Sequence, residues 1–204
     1  MRKQKLVTKN PAFPIAAQNQ SCGEMMRKPL SRSMSDKTIT RRPRLIGPRR
    51  TFAIVASTFN EDFVQGLIDS CRNEIVALLP NSSIPLYRVP GAGEIPVCAE
   101  YVLNHTGADV VIALGVVLEG STAHADIIAR TVATQLAEMA VRHELPVINE
   151  VLLLKDEEQA RERCFGSELN RGVEAARAAL TMAELFQKLH TAYPGVRERD
   201  RAST

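Results

Sequence analysis

The fold of this chain is decided by Val110-Val111-Ile112-Ala113-Leu114-Gly115-Val116-Val117-Leu118, followed by Glu119-Gly120-Ser121-Thr122-Ala123-His124-Ala125-Asp126. An uninterrupted apolar run rich in β-branched residues is typical of a strand covered on both faces, as in a parallel sheet. The Gly-Ser-Thr that follows can free backbone N–H groups and cap a helix, which puts His124 in the first turn of that helix. Ligand sites of open α/β sheets lie at such junctions.

Strand and helix patterns alternate on both sides of this run. Strands are predicted over 52–56, 84–89, 109–118 and 145–152, and helices over 61–79, 94–104, 121–143, 156–164 and 170–189. Asn60 is expected to cap the first helix through its side chain. This order predicts right-handed βαβ units and therefore an α/β, flavodoxin-like three-layer sandwich, with a four-stranded parallel sheet flanked by helices on both faces.

Charge is distributed unevenly along the 204 residues. Residues 1–50 carry 13 Lys and Arg against 2 acids, whereas the remainder carries 13 against 21. The prolines and the lack of a period in 1–50 predict a disordered basic extension, followed by one domain over 51–190 and a frayed tail over 191–204. An organelle transit peptide, or a true start at Met34, are the alternatives for the extension. The acidic body argues against nucleic-acid binding, which requires clustered cations.

The cysteines and the hydropathy pattern indicate the cellular compartment in which the protein is expected. Cys22, Cys71, Cys98 and Cys164 share no metal-ligand spacing, so we expect buried free thiols and no metal site. No segment approaches the roughly 20 apolar residues that span a bilayer, and no secretory signal is evident. We therefore expect a cytoplasmic protein without membrane contact, with organelle import as the less favoured possibility.

The carboxyl ends of parallel strands meet at one edge of a sheet, which we call the rim. The predicted strands place there Phe59-Asn60, the segment 90–94, the segment 115–124 and Asn149-Glu150. The rim thus offers an aromatic ring, a carboxylate, a candidate anion site and a histidine. It has no Walker lysine, no dinucleotide fingerprint and no Ser/His/Asp set.

Several separated motifs of the chain resemble the lumazine synthase family in order and spacing over about residues 51–187. They are Phe59-Asn60, Val89-Pro90-Gly91-Ala92-Gly93-Glu94-Ile95-Pro96, Leu114-Gly115-Val116-Val117-Leu118, Gly120-Ser121-Thr122-Ala123-His124-Ala125-Asp126, Glu158-Gln159-Ala160-Arg161-Glu162-Arg163 and Asn170-Arg171-Gly172. The resemblance implies condensation of 5-amino-6-(D-ribitylamino)uracil with 3,4-dihydroxy-2-butanone 4-phosphate to 6,7-dimethyl-8-ribityllumazine, phosphate and water. This is a transferase step of riboflavin biosynthesis that needs no cofactor.

The resemblance also implies roles for individual residues. His124 would transfer protons, Phe59 would stack on the uracil ring, and Glu94 would bind the ribityl hydroxyls. Phosphate would be held by Ser121, Thr122 and Arg163, with Arg171 as a possible further contact. Other substrate contacts would come from Ala92, Gly93, Val116, Val117, Leu118 and Asn149.

The chain departs from the family pattern at several positions. Gly93 and Asn149 stand where aromatic residues are common, Glu119 where an arginine is usual, and Arg171 where a lysine is usual. The two missing aromatic rings motivate an alternative function, a catalytically weak paralogue that binds flavin or lumazine. A flavodoxin-like binding module unrelated to the family is a third possibility.

The resemblance further implies self-association. Family members place the site between neighbouring subunits of a homopentamer, with the His124 side from one subunit and the Arg163 and Asn149 side from the other. A decamer and a capsid of 60 subunits, which other family members form, are the open alternatives to a single pentamer.

Overall fold

The computed structural model describes residues 49–120 and 123–193. In this part of the chain, four strands form one parallel sheet in the order β2-β1-β3-β4. The elements are β1 Phe52–Ser57, α1 Glu61–Leu78, β2 Leu86–Val89, a 3-10 turn Ala92–Glu94, α2 Ile95–His105, β3 Val110–Leu118, α3 His124–His143, β4 Val147–Leu154, α4 Glu157–Phe165 and α5 Arg171–Ala192. The predicted fold class is confirmed.

Side-chain alternation along the strands divides the core into two layers. Even-numbered residues of β1 and β3 pack under α1, α4 and α5, whereas odd-numbered residues pack under α2 and α3. Successive side chains of a strand point to opposite faces, so a strand apolar at every position requires a cover on both. The seven residues of β3 from Val110 to Val116 are buried for this reason.

The helices α1 and α5, which cover the same face of the sheet, are packed very closely against each other. Gly172, in the first turn of α5, approaches α1 so nearly that a Cβ there would lie 2.4 Å from the carbonyl oxygen of Leu67. Asn170 caps α5, accepting a hydrogen bond from the N–H of Val173 at 3.1 Å. The cap and the close approach together fix the start of α5, and with it Arg171.

Some predicted boundaries differ from those observed. β4 runs two residues later than expected, β2 begins at Leu86 rather than at residue 84, and α5 continues to Ala192. Cys71 and Cys164 are buried free thiols as predicted, whereas Cys98 is only partly buried. No helix among the described residues is both long enough and apolar enough to cross a membrane.

Candidate functional site

A cavity of about 760 Å³ opens at the rim, where β1 and β3 end and α3 begins. This volume is in the range of small-molecule sites, about 300–1,000 Å³. Eight of the residues predicted to bind substrate or to act in catalysis line it together: Phe59, Ala92, Gly93, Glu94, Val116, Val117, Leu118 and His124. The predicted grouping of these side chains and backbone groups therefore exists in a single chain.

The loop after β1 presents an aromatic ring to this cavity. Phe59 is 70% exposed, although an apolar ring of this size is normally buried. Its backbone N–H donates to the carbonyl of Pro90 at 3.1 Å, and the Thr58 hydroxyl donates to the same carbonyl at 3.0 Å. The ring is thus held in an exposed position by hydrogen bonds between the ends of β1 and β2.

Asn60 has a different role from the one predicted. It stands at the N-cap position of α1, but it makes no side-chain cap and has φ 55°, in the left-handed region that asparagine tolerates. Its amide instead donates to the carbonyl of Val116 at 2.9 Å. The expected cap was wrong because the side chain turns across the sheet to β3, where it also lines the cavity.

Glu94 is the last residue of the 3-10 turn and also lines the cavity. Its Oε2 accepts a hydrogen bond from the N–H of Gly91 at 2.8 Å. That contact orients the carboxylate and leaves its second oxygen available to accept hydroxyl groups. The neighbouring Gly93 has open space beside it, since a Cβ added there would meet no atom within 4 Å.

His124 was predicted in the first turn of a helix over 121–143; it is the first residue of α3, and it is exposed at the cavity. The N-cap position is Ala123, which makes no side-chain cap. Two residues after His124, Asp126 forms an ion pair with Arg130 at 2.7 Å. The predicted phosphate ligands Ser121 and Thr122 lie outside the described residues.

The predicted position of Asn149 and Glu150 at the rim is wrong. Asn149 pairs with Ala113 and Glu150 with Leu114, so both lie within β4 rather than at its end. The strand continues to Leu154, which removes them from the rim by several residues. Asn149 is exposed on this outer strand, and its Oδ1 accepts a hydrogen bond from the N–H of Val151 at 3.0 Å.

Arg163 and Arg171 belong to a second group of residues, beside β4. We call Glu150, Arg163, Arg171 and Glu174 the β4 charge cluster. Arg171 Nη1 lies 2.6 Å from Glu174 Oε2, and Glu150 interacts electrostatically with all three partners. Burial raises the pKa of the Glu150 carboxyl to about 7; Arg171 and Arg163 oppose the rise and Glu174 adds to it.

The β4 charge cluster was only partly anticipated from sequence. Its two arginines were expected at the phosphate, but the carboxylates Glu150 and Glu174 were not expected to face them. The described residues that line the rim cavity include neither Asn149 nor any member of the β4 charge cluster. The predicted site is therefore divided into two groups within one chain.

The remaining histidines lie at helix ends, as expected. His105 stacks on Tyr101 with ring centroids 4.1 Å apart, and His143 lies 2.8 Å from Glu100. His190 is in the last turn of α5. Among the described residues, no group of three His, Cys, Asp or Glu side chains could hold a metal ion.

Comparison with known proteins bears on the chemistry of this divided site. A family model described as 6,7-dimethyl-8-ribityllumazine synthase matches residues 49–187. A protein of that name from Aquifex aeolicus (strain VF5) is 40% identical over 139 residues, which cover 68% of this chain and 90% of the relative. Another of the same name, from Chlorobium limicola, is 37% identical over 138 residues, 67% of this chain and 89% of the relative.

Proposed function

The chain belongs to the 6,7-dimethyl-8-ribityllumazine synthase family, and we propose that its rim cavity condenses 5-amino-6-(D-ribitylamino)uracil with 3,4-dihydroxy-2-butanone 4-phosphate. The observation that carries this proposal is the convergence of Phe59, Glu94 and His124 on one cavity of suitable size. The products are 6,7-dimethyl-8-ribityllumazine, phosphate and water, and the step is a transferase reaction of riboflavin biosynthesis.

The uracil substrate is assigned to the apolar part of the cavity. The exposed Phe59 ring offers a flat surface on which the planar heterocycle stacks. Backbone groups of Ala92, Gly93 and the segment 116–118 bind the ring edges, while the free oxygen of Glu94 accepts ribityl hydroxyls. Because most of these polar groups belong to the backbone, their positions are fixed by the sheet before substrate binds.

His124 is assigned the proton transfers. An imidazole side chain both accepts and donates protons near neutral pH. From the start of α3 it reaches the cavity in which the amine of one substrate attacks the ketone of the other. It serves imine formation, phosphate elimination and ring closure in turn. Phosphate is the leaving group, so no electron acceptor is required.

The phosphate group is assigned to Ser121, Thr122 and Arg163, with Arg171 as a further contact. A guanidinium binds phosphate through two parallel N–H donors, which fixes orientation as well as charge. Since Arg163 lies apart from the cavity of its own chain, we propose that it reaches the cavity of a neighbouring subunit. Asn149, exposed on β4, lies on the same contributing side.

We propose a homopentamer as the unit that joins the two sides. Two features support this: β4 is an outer strand of the sheet, and α2 and α3 expose Val97, Tyr101 and Ile127 at 71%, 64% and 60%. Large exposed apolar side chains grouped on one face mark an interaction surface. Light scattering distinguishes five subunits from ten or sixty.

Product formation tests the function directly. Purified protein mixed with both substrates is expected to form a fluorescent lumazine and release phosphate in equal amounts. The alternative, a weak paralogue, predicts that the ribityl-bearing uracil binds without product. An unrelated binding module predicts neither binding nor product. Neither alternative has a specific observation in its favour.

Subunit mixing tests the shared site. Each of His124→Ala and Arg163→Ala alone is expected to lose most activity. Co-expression of the two variants should restore up to about a quarter of the sites, since random assembly places an intact His124 beside an intact Arg163 that often. Each variant co-expressed with a tagged copy of itself is the control. No recovery in the mixture would contradict a site built from two subunits.

A further inference from the structure

Glu150 is a carboxylate at a position of β4 where the sheet calls for an apolar side chain. Its even-numbered neighbours Ile148, Leu152 and Leu154 pack into the core under α1 and α5. Alternation along the strand directs Glu150 to that same face, and its interaction with Cys71 of α1 agrees with this. A residue that breaks the pattern of its strand marks a functional or strained position.

The groups that face Glu150 come from three helices. Arg171 and Glu174 lie on α5, Arg163 on α4, and the Cys71 thiol on α1. Glu174 forms an ion pair with Arg171 at 2.6 Å. Glu150, in contrast, makes no hydrogen bond within the part of the chain that the structure describes. Glu150 therefore interacts with both arginines of the cluster and is hydrogen-bonded to neither.

Resting on the proposed function, we infer that Glu150 is a positioning residue that shares Arg163 and Arg171 with the phosphate of the substrate. When ionised, its carboxylate attracts the two guanidinium groups and competes with the incoming phosphate. When protonated, it no longer attracts them or competes with the phosphate for them. Phosphate binding is thus coupled to the uptake of a proton by Glu150.

Charge accounts for the direction of this coupling. With Glu150 ionised, the two arginines and two glutamates of the β4 charge cluster cancel one another; with Glu150 protonated, the cluster carries one net positive charge. An anion favours the positive state. The carboxyl titrates near neutral pH because it is buried, so both states are populated where the enzyme works. A bound phosphate also repels the ionised carboxylate, which holds the proton more firmly.

Inhibition by inorganic phosphate is the first test, with Glu150→Gln as the variant. The glutamine keeps the size of the side chain and fixes it neutral. The matched control is Glu157→Gln, which removes an exposed charge from α4, the helix of Arg163. Between pH 6 and 8.5 we expect the ratio of the wild-type Ki to the Glu150→Gln Ki to rise about tenfold. The KM for the butanone phosphate should follow, and the control should track wild type.

Phosphate itself ionises in this pH range, and this affects the Ki values of both proteins equally. The ratio of the two Ki values therefore does not depend on the ionisation of phosphate. Parallel pH profiles of wild type and Glu150→Gln would overturn the inference. A merely structural role of Glu150 would change kcat or stability but not this ratio.

Calorimetry keeps the inference separate from the proposed function. Titration of inorganic phosphate at pH 7 in buffers of different ionisation enthalpy measures the protons taken up on binding, without any turnover. Wild type is expected to take up more protons than Glu150→Gln, and equal uptake would overturn the coupling. If wild type binds phosphate with this excess uptake but makes no lumazine, the proposed reaction fails and the coupling stands.

Discussion

The rim cavity and the β4 charge cluster differ in chemical composition: the first is lined mainly by apolar groups, whereas the second consists of ionisable side chains. The cavity is mainly apolar and lies where β1 and β3 end. The β4 charge cluster consists of four ionisable side chains on β4, α4 and α5, in which the carboxyl of Glu150 interacts with two arginines. A flat heterocycle suits the first region and a phosphate the second.

The difference matters for how each region responds to change. Backbone donors and acceptors keep their positions when a side chain is replaced, so the cavity should tolerate substitutions that leave its strands intact. The β4 charge cluster depends on a balance of charges in a poorly solvated place, where the loss of one partner is felt by all others. Substitutions in the cavity should therefore change either substrate affinity or kcat without changing the other. The effects of substitutions in the β4 charge cluster should instead depend on pH.

The largest effect is expected from the titratable side chain of the cavity. His124→Ala should lower kcat by about 10²- to 10⁴-fold, the usual contribution of a positioned acid or base. Binding of the ribityl-bearing uracil should change little, because Phe59 and the backbone contacts remain. Rapid-quench turnover and equilibrium binding, measured on the same sample, check this. A binding constant that collapses while kcat holds would assign His124 to binding instead.

The second effect concerns the stability of the β4 charge cluster. The pKa of Glu150 rises from its ordinary 4.5 to about 7 on folding. Between these values the folded protein keeps a proton that the unfolded chain has released, so the free energy of unfolding falls as pH rises through the window. The total loss by pH 8 is up to about 3 kcal/mol per chain.

Urea unfolding from pH 4 to 8, at fixed protein concentration, measures this dependence. Glu150→Gln should show a smaller fall in stability with pH and should be the more stable protein at pH 8. Glu157→Gln should keep the wild-type slope, because its carboxylate is exposed. Equal slopes for wild type and Glu150→Gln would show that the carboxyl of Glu150 is not held in a low-dielectric place.

The sequence predicts the cavity better than the cluster, for a physical reason. The alternation of strands and helices specifies which segments end at the rim, and that places Phe59, Glu94 and His124 together. Periodicity does not specify where a hydrogen-bonded ladder stops. Residues 145–152 and 147–154 are both apolar enough for a strand, and Asn149 lies inside either range, so the strand pattern did not support its assignment to the rim.

Two other differences between the predicted and the observed structure arise from tertiary contacts, at Asn60 and at Glu150. Asparagine favours both the N-cap and the left-handed conformation, and the carbonyl of Val116 selects the second for Asn60. Glu150 resembles a polar residue at the end of a strand until its neighbours on α4 and α5 are known. The partners of a buried charge come from distant segments, and a single sequence contains no record of such pairings.

The smallest effect is expected from adding a ring to the cavity. Phe59 carries the one benzene ring among the described residues that line it, and Gly93, which also lines it, has open space at the position of a Cβ. Gly93→Tyr should supply a second stacking surface without displacing any atom at its Cβ. Aromatic contacts contribute about 0.5–1.5 kcal/mol, so the KM for the ribityl-bearing uracil should fall about twofold to tenfold.

The matched control is Gly93→Ala, which adds the Cβ without the ring and should leave this KM near its wild-type value. The KM for the butanone phosphate should not change in either variant, because the arginines proposed to bind the phosphate lie on the β4 side. A tyrosine that raises the KM of the uracil would mean that the open space at Gly93 is needed by the substrate itself. In that case the single aromatic ring at Phe59 would suffice for stacking, and the glycine would belong to the specificity of this chain.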